Sequence, residues 1–394
     1  MKYRQRSASR DFRWLAVMAL LGLNACAPTQ SQPAAGAAAS SANEIPIAVA
    51  GPVTGDLAEY GAQMREAAKF AVADINAAGG VLGKPLRLII QDDECDPGRA
   101  KDVARSIVSQ KVVAVIGHFC SGVSIPASAV YHDNRILQIT PASSNPWLTE
   151  EAASKGWKTV FRTCARDDQE GIFAADYLFA HYGKDRIALL RDDSAYARVL
   201  EGPLLKGLAH HGINPVFQAQ IHPGQSSYQR VIDELIKARP DVIYFMGYHP
   251  EAALLVKEAR AGGLQAAFIG PDSLTTAEFA AQTGAAADGV MFTSNRSAER
   301  TPEAADLVVR LRAQGIDAAR GGADYAVFTY AAFQEFAMAA QRAGTTEAEA
   351  MAKALRSGSF DTVMGSVAFD EKGDLRKQEF SWYRFRAGNY ELVP

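Results

Sequence analysis

From Ile45 onward, short runs of apolar and β-branched residues alternate with longer stretches whose apolar positions recur at helical spacing. The runs 45–50 (IPIAVA), 86–91 (LRLIIQ), 112–116 (VVAVI) and 136–139 (ILQI) predict strands. A second series follows at 159–161, 186–190, 215–220, 241–245 and 267–270. Between them, 61–77, 98–110, 168–181, 196–210, 226–238 and 250–261 predict helices. Such alternation builds parallel sheets, because a parallel neighbour is reached only through a crossover. The strands are apolar almost throughout, as burial on both faces demands. The pattern predicts an α/β chain of two doubly wound parallel-sheet lobes.

Beyond Val290-Met291-Phe292 the rhythm changes to long helical stretches, 303–313 and 322–342, and then to a β-rich end at 366–369 and 379–386. The segment AVFTYAAFQEFAMAA needs a large surface to bury against, which predicts that the chain returns to the first lobe. Several connections then cross between lobes, and paired crossovers make a hinge over a cleft that can close. The lobes are drawn as residues 44–165 with 295–375, and 166–294 with 376–394.

The N-terminus departs from this pattern. Lys2, Arg4, Arg6, Arg10 and Arg13 precede an uncharged, mostly apolar run, WLAVMALLGLNA at 14–25, which reads as an export signal over 1–25. Small or short residues before Cys26 resemble a lipoprotein processing site, with Cys26 as the lipidation point; simple cleavage to a soluble product is the alternative. Residues 26–43 then lack charge and periodicity, as a flexible tether would. Of 41 basic and 44 acidic residues, the signal carries five and one, leaving 36 against 43 and a net charge of −7. An acidic export product with no basic run is a poor binder of nucleic acid. The expected location is the periplasm, with contact to the membrane only through the possible lipid anchor. In that oxidising compartment Cys95 and Cys120 sit just past predicted strand ends, and Cys164 has no evident partner. No CxxC or HxxxH pair occurs, so neither a metal nor a cofactor is expected.

Ligands of open α/β sheets bind beyond the carboxyl ends of the strands. There, Gly117-His118-Phe119-Cys120 leads into Ser121, which predicts a helix capped by Ser121, and a helix start suits a carboxylate. Thr140-Pro141-Ala142-Ser143-Ser144-Asn145-Pro146 forms a stiff, hydroxyl-rich loop, and Gly270-Pro271-Asp272-Ser273 places a carboxylate at the matching edge of the second lobe. Each taken singly reads as an ordinary turn or cap.

In order along essentially the whole mature chain, GPVTGDLAEYG, AVADINAAGG, QDDECDP, VIGHFCSG, QITPASS, MGYHPE and DTVMG with FDEKGDL resemble the periplasmic leucine/isoleucine/valine-binding protein family of bacterial transporters. The resemblance implies a type I periplasmic-binding fold with a three-crossover hinge, a Cys95–Cys120 disulfide, and a branched-chain or other small apolar α-amino acid as solute. It also implies a membrane permease of an ABC transporter as partner, and a monomer is expected. On matched positions, Ser121 and Ser144 give hydroxyls to the ligand carboxylate, helped by backbone around Ala142 and Ser143. Asp272 accepts from the ammonium, and Tyr60, Phe119, Tyr196, Tyr248 and Tyr325 line the side-chain pocket. Asp272 stands where the family usually has Glu, Ser144 where it often has Thr, and Tyr196-Ala197 replaces a usual Tyr-Gly. These departures put the side-chain preference in doubt.

An enzyme is the competing class. Gly51-Pro52-Val53-Thr54-Gly55 follows a strand but fits neither the dinucleotide fingerprint nor the P-loop, so a nucleotide-dependent Rossmann enzyme is disfavoured. No GxSxG elbow appears, and His210-His211 sits at a predicted helix end. Asp92-Asp93-Glu94 reads as a solvated loop before it reads as an ion site. A sugar-type transcription regulator would need a DNA-binding helix pair where the export signal lies. A binding protein that senses another amide or amino-acid-like solute remains the nearest alternative.

Overall fold

The two series of strands resolve into two separate sheets. The structure, a computed structural model, describes residues 43–183, 186–295, 301–316 and 324–393. The expected signal, Cys26 and the tether up to Ala42 lie outside the described residues. The first part runs β1 (Ile45–Gly51), α1 (Ala58–Ala77), β2 (Leu86–Asp92), α2 (Ala100–Ser109), β3 (Ala114–Gly117), α3 (Ser121–Asp133), β4 (Leu137–Thr140), α4 (Trp147–Ser154) and β5 (Val160–Arg162). These strands form a five-stranded sheet in the order β2-β1-β3-β4-β5, parallel throughout. The run at 159–161, grouped above with the second series, therefore belongs to the first sheet. So short a run, Thr159-Val160-Phe161, states that a strand is buried but not which sheet buries it.

The second part continues α5 (Asp167–Tyr182), β6 (Ile187–Arg191), α6 (Ala195–His210), β7 (Phe217–Gln220), α7 (Gln229–Ala238), β8 (Val242–Met246), α8 (His249–Ala261), β9 (Ala267–Gly270), α9 (Ala277–Thr283) and β10 (Met291–Asn295). The chain then gives α10 (Ala305–Ala313), α11 (Asp324–Ala343), α12 (Ala348–Arg356), a β11 (Ser359–Thr362) to β12 (Gly365–Ala368) hairpin, β13 (Phe380–Arg386) and β14 (Asn389–Val393). The second sheet has seven strands in the order β14-β13-β10-β9-β8-β6-β7. Its body is parallel, but β13 and β14 add an antiparallel edge. That hairpin turns through Ala387 (φ 49°) and Gly388 (φ 78°). Positive φ at both central residues marks a turn whose twist matches that of paired strands.

The return of the tail is as the apolar stretch requires. Val327, Phe328, Ala331, Phe333 and Phe336 of α11 are buried in one core with Ile47 and Val49 of β1 and with Met64 and Ala68 of α1. The chain thus passes between the sheets three times: after β5, after β10 and before β13. Those crossings are bonded to one another, with Ala165 N donating to Asn295 Oδ1 (3.0 Å) and Arg166 N to Gln378 Oε1 (2.8 Å). Asp374, on the third crossing, takes Arg162 Nε at 2.6 Å and an Arg166 guanidinium nitrogen at 2.7 Å. Arg162 is fully buried and spends its other donors on the Ser143 and Asn145 carbonyls and on Thr149.

Candidate functional site

The carboxyl ends of the strands of both sheets meet around one small, tightly packed cavity. From the first sheet, the loop after β3 contributes Phe119 and Ser121, and the loop after β4 contributes Ala142 and Ser144. From the second, Tyr196 follows β6, Tyr248 follows β8, and Asp272 and Ser273 follow β9. Tyr325, on the first turns of α11, completes the wall. Eight of the ten candidate ligand residues from the sequence therefore surround one space. Tyr60 and Ser143 do not line it. Tyr60 lies behind Phe119, with ring centroids 4.4 Å apart. The Ser143 hydroxyl is turned into the loop, against the Phe119 carbonyl (2.9 Å) and Ser124 Oγ (2.6 Å).

Ser121 is not the helix cap expected from the sequence. Cys120 takes the capping position, in extended backbone and without a side-chain bond, and Ser121 is the first residue of α3. Its Oγ accepts from Asn145 N (3.3 Å), which leaves the hydroxyl proton for the cavity. The start of α3 also directs backbone N–H groups and the positive end of its dipole to this side. The position of Cys120 is fixed by its disulfide to Cys95, with Cα atoms 5.5 Å apart. Cys164 is buried and free.

Opposite, Tyr196 donates to Asp272 Oδ1 (2.9 Å). Burial pushes the Asp272 carboxyl up to about 6; the Tyr196 hydroxyl opposes that shift and the charge of Asp324 adds to it. Two further buried carboxyls stand behind. Asp167 is raised well above its ordinary range by burial, against a hydrogen bond from Ser144. Glu170, raised by burial and by Asp272 and Asp167, accepts from Asp272 N at 3.1 Å and from Thr293. Sequence reading missed Ser273, Asp167 and Glu170. The first turn of α5 carries Asp167, Asp168 and Glu170, which looks like the usual acidic complement to a helix dipole. Only the inward rotation of two of them distinguishes it.

The electrostatics are split. Hydroxyls and a helix start on one side can satisfy a carboxylate; the Asp272 carboxyl on the other can satisfy an ammonium. Aromatic rings between them offer an apolar wall. Tyr196 and Tyr248 also line a wider cleft bounded by Pro97, Trp147, Asp192 and Pro223, so their rings partition the cavity from the outside. The loop at 92–94 is used differently. Asp92 bonds Val53 N and Thr54, buried Asp93 bonds His118 Nδ1 (2.6 Å), and Glu94 pairs with Arg99.

Two doubly wound sheets joined by three crossings, with a polar cavity between their carboxyl ends, define a type I periplasmic-binding fold. The chain belongs to the periplasmic binding protein family, whose model matches residues 44–388. It is 36% identical over 346 residues to a Leu/Ile/Val-binding protein homolog of Brucella suis, covering 88% of this chain and 91% of that one. A leucine-, isoleucine-, valine-, threonine- and alanine-binding protein of Pseudomonas aeruginosa is 36% identical over 345 residues, with coverage of 88% and 91%. Among solved structures, a leucine-binding protein of Thermotoga maritima superposes with a TM-score of 0.79 at 25% identity, covering 89% of this chain and 98% of that one.

Proposed function

We propose that this protein captures a small α-amino acid, branched-chain or otherwise apolar, in the cavity between its sheets and delivers it to the permease of an ABC transporter. The observation that carries this reading is the pairing of Ser121 and Ser144 with Asp272 across one enclosed space. A zwitterion removed from water needs both charges met, because an unpaired buried charge is very costly. The names borne by relatives at 36% identity point the same way. Because the contacts come from both edges, solute binds the closed arrangement best and so favours closure.

In this reading the protein binds without turnover, as a monomer, in the periplasm. Residues 1–25 direct export, Cys26 carries the lipid and 26–43 tether the body. Residues 44–165 with 295–375, and 166–294 with 376–394, move as the two lobes. The test is isothermal titration and thermal shift with leucine, isoleucine, valine, threonine and alanine. A cognate solute at one hundred times its Kd stabilises the fold by about 2.7 kcal/mol. Silence toward every amino acid overturns the reading.

A further inference from the structure

We infer that Glu59, His249 and Glu278 form a zinc site, separate from the solute cavity, that bridges the two sides of the cleft. The three are far apart in the chain, and no metal-ligand spacing in the sequence announces them. Glu59 lies on α1, in the layer packed on the first sheet, whereas His249 opens α8 and Glu278 lies on α9, both on the second-sheet side. One donor atom from each falls within 4.8 Å of the others.

The hydrogen bonds around His249 leave its Nε2 directed at the carboxylates, where a metal ion can be held. Tyr60 has one hydroxyl proton, and it goes to the Ser273 carbonyl (2.5 Å), which cannot donate. The contact between Tyr60 Oη and His249 Nδ1 (3.0 Å) must then carry its proton on Nδ1. In the neutral imidazole this leaves a lone pair on Nε2. That lone pair faces Glu278 Oε2 at 3.0 Å, and a carboxylate only accepts. Two acceptors in contact need positive charge between them, either a second imidazole proton or a metal ion. The second carboxylate favours the metal. Both Glu59 oxygens accept backbone N–H groups, from Ala277 and Glu278 at 2.8 Å, and keep further lone pairs. Among the described residues no lysine or arginine forms an ion pair with Glu59 or Glu278.

Imidazole nitrogen and carboxylate oxygen are both donors that zinc accepts, and three protein ligands leave a fourth position open, whereas calcium and magnesium favour oxygen alone. With zinc about 2.0–2.2 Å from each donor, tetrahedral donors stand about 3.3–3.6 Å apart, against 3.0 Å between His249 Nε2 and Glu278 Oε2 and an outer limit of 4.8 Å for all three. The Nδ1–H bond to Tyr60 orients the ring as ligating histidines require, and Glu278, half exposed, gives the ion an entry path.

The test uses the whole protein, freed of metal with a chelator, and titrates zinc chloride by calorimetry and thermal shift, with magnesium and calcium chlorides in parallel. Zinc alone should bind at about one equivalent and raise Tm, and His249→Gln or Glu278→Gln should weaken it about tenfold or more. Should His249→Gln fail to fold, Glu278→Gln decides, since that side chain is half exposed. Failure of zinc to bind the wild type, undiminished binding by Glu278→Gln, or an equal response to magnesium would each overturn the proposal. None of these outcomes depends on which solute the cavity takes.

Discussion

Among the described residues no cationic side chain is bonded to Asp272, and burial pushes its carboxyl up to about 6. A raised carboxyl favours the neutral form in the fold, so its stabilising contribution is full below about pH 3.9 and fades as pH rises through about 6. An ammonium partner needs the ionised form. Solute binding below pH 6 therefore expels a proton, and affinity should fall toward tenfold per pH unit as the medium is acidified. Calorimetry between about pH 5 and pH 8 reads this directly, and a flat profile would remove Asp272 from the ammonium site. Asp272→Asn should lose about 2–5 kcal/mol of binding together with the pH slope, while the fold persists. Most of these side chains were legible from the sequence because they follow strand ends. The direction of the Ser143 hydroxyl, into its own loop rather than the cavity, is not something composition reveals.

At the scale of elements, the site depends on where helices begin. The Cys95–Cys120 bridge ties the end of β2 to the start of α3, and Cys120 Sγ also meets the Tyr248 hydroxyl at 3.5 Å from the other side of the cleft. Closing a loop with a sequence separation of 25 stabilises the fold by about 3 kcal/mol. The Cys95→Ser, Cys120→Ser double variant should therefore unfold at lower temperature, measured by circular dichroism, and bind solute more weakly because Ser121 loses its anchor. Equal affinity would separate the bridge from the site. The strands themselves were plain in the sequence, since buried parallel strands are apolar at most positions. The sheet each strand joins was less plain. β5 pairs with β4 in the first sheet, and Gly373 lets the third crossing lie against it: a Cβ there would come within 2.1 Å of the Val160 carbonyl oxygen. That constraint comes from a residue more than two hundred positions away and is invisible locally.

For the molecule as a whole, the crossings carry the mechanics. Burial works against ionisation of Asp374, but Arg162 and Arg166 outweigh it and hold the carboxyl below its usual range. A lowered carboxyl stabilises above its unfolded value, near pH 3.9, and that support is lost as pH falls through the folded value. Asp374→Ala leaves the fully buried Arg162 guanidinium without its counter-ion and should cost about 3–5 kcal/mol in denaturant unfolding; a loss below about 1 kcal/mol would mean that the neighbouring carbonyls suffice. The apolar α11 made the chain's return readable in advance, whereas this ionic knot was not, because its members look like ordinary surface charges in the sequence. The knot also limits how the halves can travel. Two of the three connecting strands share a single carboxylate, so sliding one past the other would tear both guanidiniums from it, while twisting about it keeps them. A motion between the two sheets should therefore turn about this pin rather than slide past it.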